Sequence, residues 1–428
     1  MSRWWPFLLL ILALMPAVLI RPPHVPTPTP VAVGGTVTIA TLANPKTFDP
    51  AFARNSAERE VADNIFQPLY RVNSVGHVTA DMAATSSFHG RQVVVQLKPQ
   101  SLNNGQPVTA DMVASSLARL IWVHAAAATS LRPIVGYRKV VSGHNKYLSG
   151  VKVTGQRTLT ITLKRSAGRW FLRRLSNPAL AIVPVGAMTE GGPNWQLLNL
   201  FGAGDYRMTA WNLSASVSFQ RVKGHSGPRY VQMVVYPSFH QAVLSYINQA
   251  VDIVPISATA ITQIPQKFRS QIRALPVPGV LSLYVNDKSK AGIATYPKIS
   301  PRKWVNQAFL GRLPAVRTST WPTIKSSHGS RMTIGVNQNN AEAVQLGRTL
   351  QKLSHGRVSI RLMPVGVLMA DARSGSLSAY LGIVDVFPHG VHMALAPMTT
   401  FWLINPAITS AGVYADGSLN WHRLVVKP

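Results

Sequence analysis

The chain has 428 residues, 43 Lys and Arg against 14 Asp and Glu, and no cysteine, for a formal net charge of +29. Disulfides, thiolate metal sites, a cysteine nucleophile and a lipid-modified N-terminal cysteine are therefore excluded. An apolar fraction of 46% suits a globular protein with one hydrophobic segment and excludes a polytopic membrane protein.

Arg3 followed by the apolar run 4–20 reads as an export signal, either a removed signal peptide or an uncleaved anchor. The proline-rich stretch 22–30 that follows is a stiff, extended spacer. From Gly35 the pattern is globular. Alternation over 37–42 predicts a strand, and so does 91–98, with Val93, Val95 and Leu97 on one face. Helical spacing over 109–120 predicts a helix, with Thr109 as N-cap and Asp111 near its positive end. Residues 151–163 read as two strands joined by a turn around Gly155. A helix is expected over 238–248 and a strand over 332–336. Helix 340–354 and strand 358–363 then complete a β-α-β unit. The fold class is α/β with antiparallel excursions.

Local catalytic motifs are missing: there is no His-Glu-x-x-His, no Gly-x-Ser-x-Gly, no phosphate loop and no dinucleotide fingerprint. The pattern points to a binder rather than an enzyme and calls for no cofactor. The cations are scattered along the chain, and the local cluster Arg169, Arg173 and Arg174 is interrupted by apolar residues, which argues against nucleic acid. Acids are what the chain lacks, since charged residues make up only 13% of it. A paired carboxylate loses its stabilising effect once protonated, so the composition reads as adaptation to an acidic exterior. A surface of this charge is drawn to anionic lipid or wall polymer.

Several short stretches, in order, resemble those of the extracellular solute-binding proteins of family 5, the peptide- and nickel-binding proteins of ABC importers. The opening strand and the Phe48-Asp49-Pro50 turn resemble the family's first segment, and 64–70 the next. The most specific stretch runs through Asn104-Gly105-Gln106-Pro107-Val108-Thr109-Ala110-Asp111 into the helix after it. Downstream, Gly202-Ala203-Gly204-Asp205-Tyr206 resembles a Gly-x-Gly-Pro-Tyr segment with Asp205 in place of proline. Gly382-Ile383-Val384-Asp385 resembles a further family motif. Asn306 stands where the family has arginine, and the chain ends sooner after Asp385 than the family pattern does.

The resemblance implies a two-lobed clamshell of the periplasmic-binding-protein type 2 kind, with mixed sheets, a hinge and ligand in the cleft. It divides the chain into a signal peptide or anchor with spacer (1–34) and a first lobe (35–245) with a subdomain inserted over about 55–155. A shortened second lobe (246–428) follows, its last strand able to return to the first. The implied partners are an oligopeptide or similar small solute, ABC permease subunits, and the membrane surface through the N-terminal segment. The alternative is a non-transporting relative acting as a tethered surface module. Asp385 is the leading ligand residue, because the family's Asp at this motif pairs with a peptide's free amino group; a turn Asp is the competing reading. Asn44 is a cleft candidate or a turn residue before Pro45. Tyr206 stacks on ligand or fills the core. Asp49 reads as a turn residue, and His389 and His392 as exposed histidines rather than metal ligands.

Overall fold

The computed structural model describes residues 35–184, 200–222, 224–285, 300–313, 332–374, 376–382 and 391–427. Strand β1 (Thr36–Thr41) leads to helix α1 (Ser56–Ile65). That helix starts at a capping box: Asn55 accepts from the Glu58 amide, and the Glu58 carboxylate accepts from the Asn55 amide. The same carboxylate takes the amides of Lys46 and Arg54, so this acid orders a whole loop.

A hairpin, β2 (Tyr70–Val72) and β3 (Val78–Ala80), opens an inserted unit. It continues through β4 (Ala83–His89), β5 (Gln92–Leu97), α2 (Ala110–Trp122), α3 (Tyr137–Val141), β6 (Val151–Gly155), β7 (Thr158–Thr162) and α4 (Arg169–Leu175). Beyond that hairpin, four of its strands form a sheet in the order β4-β5-β7-β6. Val93, Val95 and Leu97 are buried on one face with Leu159 and Ile161, in a core with Met112, Val113 and Leu117 of α2. The expected two-residue period and the Thr109 cap, which accepts from Met112 N, are both present.

The chain returns as a meander of β8 (Tyr206–Asn212), β9 (Ser216–Arg221) and β10 (Tyr230–Val235), the last parallel to β1. Helix α5 (Phe239–Ile247), capped by Ser238, and β11 (Ile253–Ile256) follow. Next come β12 (Ile272–Val285), α6 (Pro301–Ala308), β13 (Met332–Asn337), α7 (Ala341–Leu353), β14 (Val358–Met363), α8 (Val365–Ser374), β15 (Ala379–Gly382) and β16 (Val391–Ile404). β13, α7 and β14 form the expected parallel unit, with α7 capped by Asn340. A closing hairpin, β17 (Ile408–Val413) and β18 (Leu419–Val426), packs back on α1: Trp421 of β18 donates to Glu60.

Ten strands form one mixed sheet in the order β14-β13-β15-β12-β16-β11-β1-β10-β9-β8. Its two 14-residue members, β12 and β16, belong to both halves. Residues 272–276 pair with 399–403 beside β11, whereas 280–285 pair with 391–397 beside β15. Between the two stretches the register breaks from Pro276 to Val280. Pro276 and Pro278 carry no amide to continue a ladder, and Gly279 holds φ +126°, a conformation side chains disfavour. The α/β molecule is thus two-lobed, and this crossing is its hinge.

Candidate ligand cleft and its charged joint

The strand registers bring the ends of parallel strands from both halves to the hinge. In the first half, β11 is parallel to β1, and its last residue, Ile256, lies opposite Phe401, two residues from Thr399 at the crossing. In the second, β15 ends at Gly382 opposite Ser282, two residues from Val280. β13 runs parallel to β15. Both halves therefore turn the carboxyl ends of their parallel strands toward one line, the position where open α/β sheets take ligands.

Of the sequence-derived candidates, Asn44 is exposed on the loop leaving β1. Its amide donates to Ser214 Oγ at 2.8 Å and its carbonyl accepts from Asn55 Nδ2. Tyr206 is fully buried, edge-on to Trp421, with its hydroxyl donating to Pro228 O at 2.9 Å; its ring fills the core of the first half. Asp385 and His389 lie outside the described residues. Asp49 accepts from Ala51 N as a turn residue does, and it also forms a buried ion pair with Arg119 that sequence reasoning did not anticipate.

A second feature borders the hinge. A concavity of about 330 Å³ is lined by Pro278 of the crossing, Arg173, Ser176 and Asn177 of the insert, Asp63 and Arg71, and Tyr414 and Asp416 of the final hairpin turn. Arg71 is the centre of this joint. Its guanidinium pairs with Asp63 at 3.2 Å and with Asp81, donates to the Asp63 and Phe66 carbonyls, and stacks over the Tyr414 ring at 4.5 Å. Ser418 Oγ sits 2.7 Å from both Asp63 Oδ2 and Asp416 Oδ1. Deeper, Trp421 Nε1 donates to Glu60 at 2.8 Å. Burial raises the Glu60 carboxyl to about 8 and that of Asp63 to about 7. Nearby, Asp205 bonds to Nδ1 of both His225 and His422. Burial alone would raise Asp205, but the two imidazoles outweigh it and hold the carboxyl below its ordinary value.

No local motif announces this joint, since Ser418 and Asp63 are 355 positions apart. The available signal was compositional: in a chain with so few acids, each one kept is a candidate for a structural task.

Comparison with known proteins agrees with the fold. MppA, a periplasmic murein tripeptide binding protein known from Escherichia coli, superposes in its unliganded open form with a TM-score of 0.67 at 15% identity, over 94% of this chain and 99% of that one. NikA of Brucella suis, solved with Fe(III)-EDTA, gives 0.65 at 11% identity, over 92% and 100%. OppA of Haemophilus influenzae, solved with the peptide RPPGFSPFR, gives 0.58 at 12%, over 92% and 99%. No curated protein sequence matches. The model of the bacterial extracellular solute-binding proteins, family 5 middle region, matches residues 82–308, more than half of the chain. These are binding proteins rather than enzymes, and the chain belongs to the bacterial extracellular solute-binding proteins of family 5.

Proposed function

We propose that the protein holds a short peptide or a similar small solute in the hinge-side cleft and delivers it to an ABC permease outside the cytoplasm. The observation that carries this reading is the convergence of the carboxyl ends of β11 and β15, from opposite halves, on one crossing. Such a cleft can bury an extended ligand and satisfy its backbone with main-chain groups. Asp385 is assigned to the ligand's ammonium. It follows Gly382 by three residues, and Gly382 is paired beside the crossing. The N-terminal apolar run and its proline spacer tether the body to the membrane. This reading places the protein in acidic surroundings, on the scarcity of carboxylates.

A thermal-shift screen with di- to pentapeptides at pH 4–5 tests it. A ligand at 100 times its Kd stabilises the folded state by about 2.7 kcal/mol, and Asp385→Asn should weaken that gain for peptides with a free N-terminus. No shift with any peptide would sink the reading. One observation favours a second, non-transporting role: Tyr206 and Asn44 spend their polar groups on Pro228 and Ser214, within the chain. On that role the tethered domain would act as a surface interaction module, and the screen would stay flat.

A further inference from the structure

Away from the hinge, a cavity of about 440 Å³ is bordered by Arg207 of β8, Gln220 and Arg221 of β9, Val222 and Arg229 of the β9–β10 connection, and Asn103 of the insert. No acid lines it. Among the described residues none of its three arginines pairs with a carboxylate. Each guanidinium is held by a neutral group instead. Arg207 donates to Gln220 Oε1 at 2.7 Å, Arg221 donates to the Gly227 carbonyl, and Arg229 lies over the Tyr230 ring at 5.3 Å. Asp205, the acid nearest Arg207 in sequence, spends one oxygen on His225 and the other on His422. Arginine stays charged throughout, so the cavity keeps a positive field in acid as well.

Asn103 adds a second demand. Its amide nitrogen donates to the Tyr206 carbonyl at 3.4 Å, which fixes the orientation of the carboxamide, and its Oδ1 is buried without a hydrogen-bond partner. A buried acceptor left unpaired is costly, so the cavity calls for a proton donor beside an oxyanion. A phosphate suits the arginines best. Its oxygens spread tetrahedrally and meet guanidiniums arriving from several directions, whereas a carboxylate presents two oxygens in one plane.

The sheet sets this cavity apart from the hinge-side cleft. Thr36, Tyr230, Gln220 and Arg207 are paired in one rung across β1, β10, β9 and β8. Thr36 is the first residue of β1, and Thr41, from which the chain leaves toward Asn44, is the last. The rung therefore lies about 17 Å along the strand from the cleft end, on the rim where the N-terminal segment enters the body.

We propose that this cavity binds a phosphate ester that carries a hydroxyl: Arg207, Arg221 and Arg229 take the phosphate oxygens and Asn103 Oδ1 accepts the hydroxyl. Two sources share that chemistry, a small phosphate ester in solution and the headgroup of an anionic phospholipid. The second rests on the membrane tether proposed above, and it would seat the body on the leaflet by the rim from which the tether leaves.

Calorimetric titration of the full chain, in a non-ionic detergent, with glycerol phosphate tests the pocket. We expect saturable binding, weakened at least about tenfold in Arg207→Gln with Arg229→Gln by the loss of charge-assisted contacts. Both side chains are exposed, so the fold is retained. Arg348→Gln with Lys352→Gln removes the same charge from exposed positions of α7 and should bind as the wild type does. Asn103→Ala should weaken glycerol phosphate but not dimethyl phosphate, which has no hydroxyl. The same titration in nanodiscs of phosphatidylcholine, with and without phosphatidylglycerol, separates the sources. An apparent affinity lowered several-fold by phosphatidylglycerol assigns the pocket to the headgroup, and an unchanged one assigns it to the soluble ester. A chain that leaves the discs would sink the tether alone, since the titration in detergent still reads the pocket. Absence of saturable binding, equal weakening in the β8 and α7 variants, or wild-type affinity for glycerol phosphate in Asn103→Ala would overturn the proposal.

Discussion

The two ends of the ten-stranded sheet are held by different chemistry. At the first, Glu60, Asp63, Asp81, Asp205 and Asp416 gather around Arg71, His225 and His422, between α1, the β2–β3 hairpin and the closing hairpin. At the second, the described residues of 300–404 include only Glu342 and Asp371 as acids, and Asp371 makes a loose surface pair with Arg361 at 3.6 Å, a kind worth little. That end relies on apolar packing: Trp304, Phe309, Leu346, Leu350, Ile334 and Leu381 are all shielded from solvent. Acids were kept where burial and hydrogen bonds give them a structural task, and elsewhere apolar packing does the work. The two ends should therefore answer differently to truncation and to pH.

The largest effects come from breaking each end at its centre. Trp304 is fully buried, and its indole donates to Leu346 O at 2.7 Å. Trp304→Ala should cost about 3–5 kcal/mol in urea unfolding, by the same amount at pH 4 and pH 8. On the first half, Asp49→Ala leaves the guanidinium of Arg119, only 2% exposed, without its carboxylate partner. The loss should again be about 3–5 kcal/mol at neutral pH, because a buried charge is left uncompensated. A loss below about 1 kcal/mol in Asp49→Ala, the size of an exposed pair, would erase the distinction between the ends.

Next in size is the pH dependence of the intact chain. Glu60 is raised to about 8 and Asp63 to about 7, and burial also raises Asp252 and Glu342. Between the usual carboxylate range and those values, the folded state binds protons that the unfolded chain releases. The associated stability is fully present in acid and is lost as pH rises through about 7 to 8. The melting midpoint should fall from pH 5 to pH 8, with a loss on the order of 3 kcal/mol, and Glu60→Gln should flatten the slope. A midpoint that climbs over this range would show that these carboxyls ionise freely in the fold. The direction also gives the shortage of acids a mechanism: several of those retained are best accommodated in their neutral form.

Much of this architecture could be read from local pattern. Val93, Val95 and Leu97 announce their strand by alternation, and Thr109, Ser238 and Asn340 mark helix starts that the structure keeps. The hinge strand β12 escaped notice because Pro276, Pro278 and Gly279 punctuate it like a loop; the residues that hide the strand are those that make the hinge. Tyr206 was ambiguous because an aromatic near a family motif serves a cleft or a core equally well, and only its distance from solvent decides. The charged joint was out of reach, since α1, residue 205 and the closing hairpin come together only through tertiary folding.

The smallest effect separates the two kinds of acid within the joint itself. Asp205 ties β8 to β18 by accepting from His422 at 2.8 Å, and to the β9–β10 connection through His225. Its carboxyl is held below the ordinary range, opposite in sign to Glu60 and Asp63. Its contribution is therefore present above the usual carboxylate range and disappears only as pH falls through its lowered value. The group is partly solvated, which limits the clasp to about 1 kcal/mol. Asp205→Asn should lower the midpoint slightly across pH 5–8 and leave the decline over that range intact, because that decline belongs to Glu60 and Asp63. Loss of the decline in Asp205→Asn would mean that the histidine clasp and the buried acids titrate as one unit, and the joint would then be a single coupled network rather than two neighbouring devices.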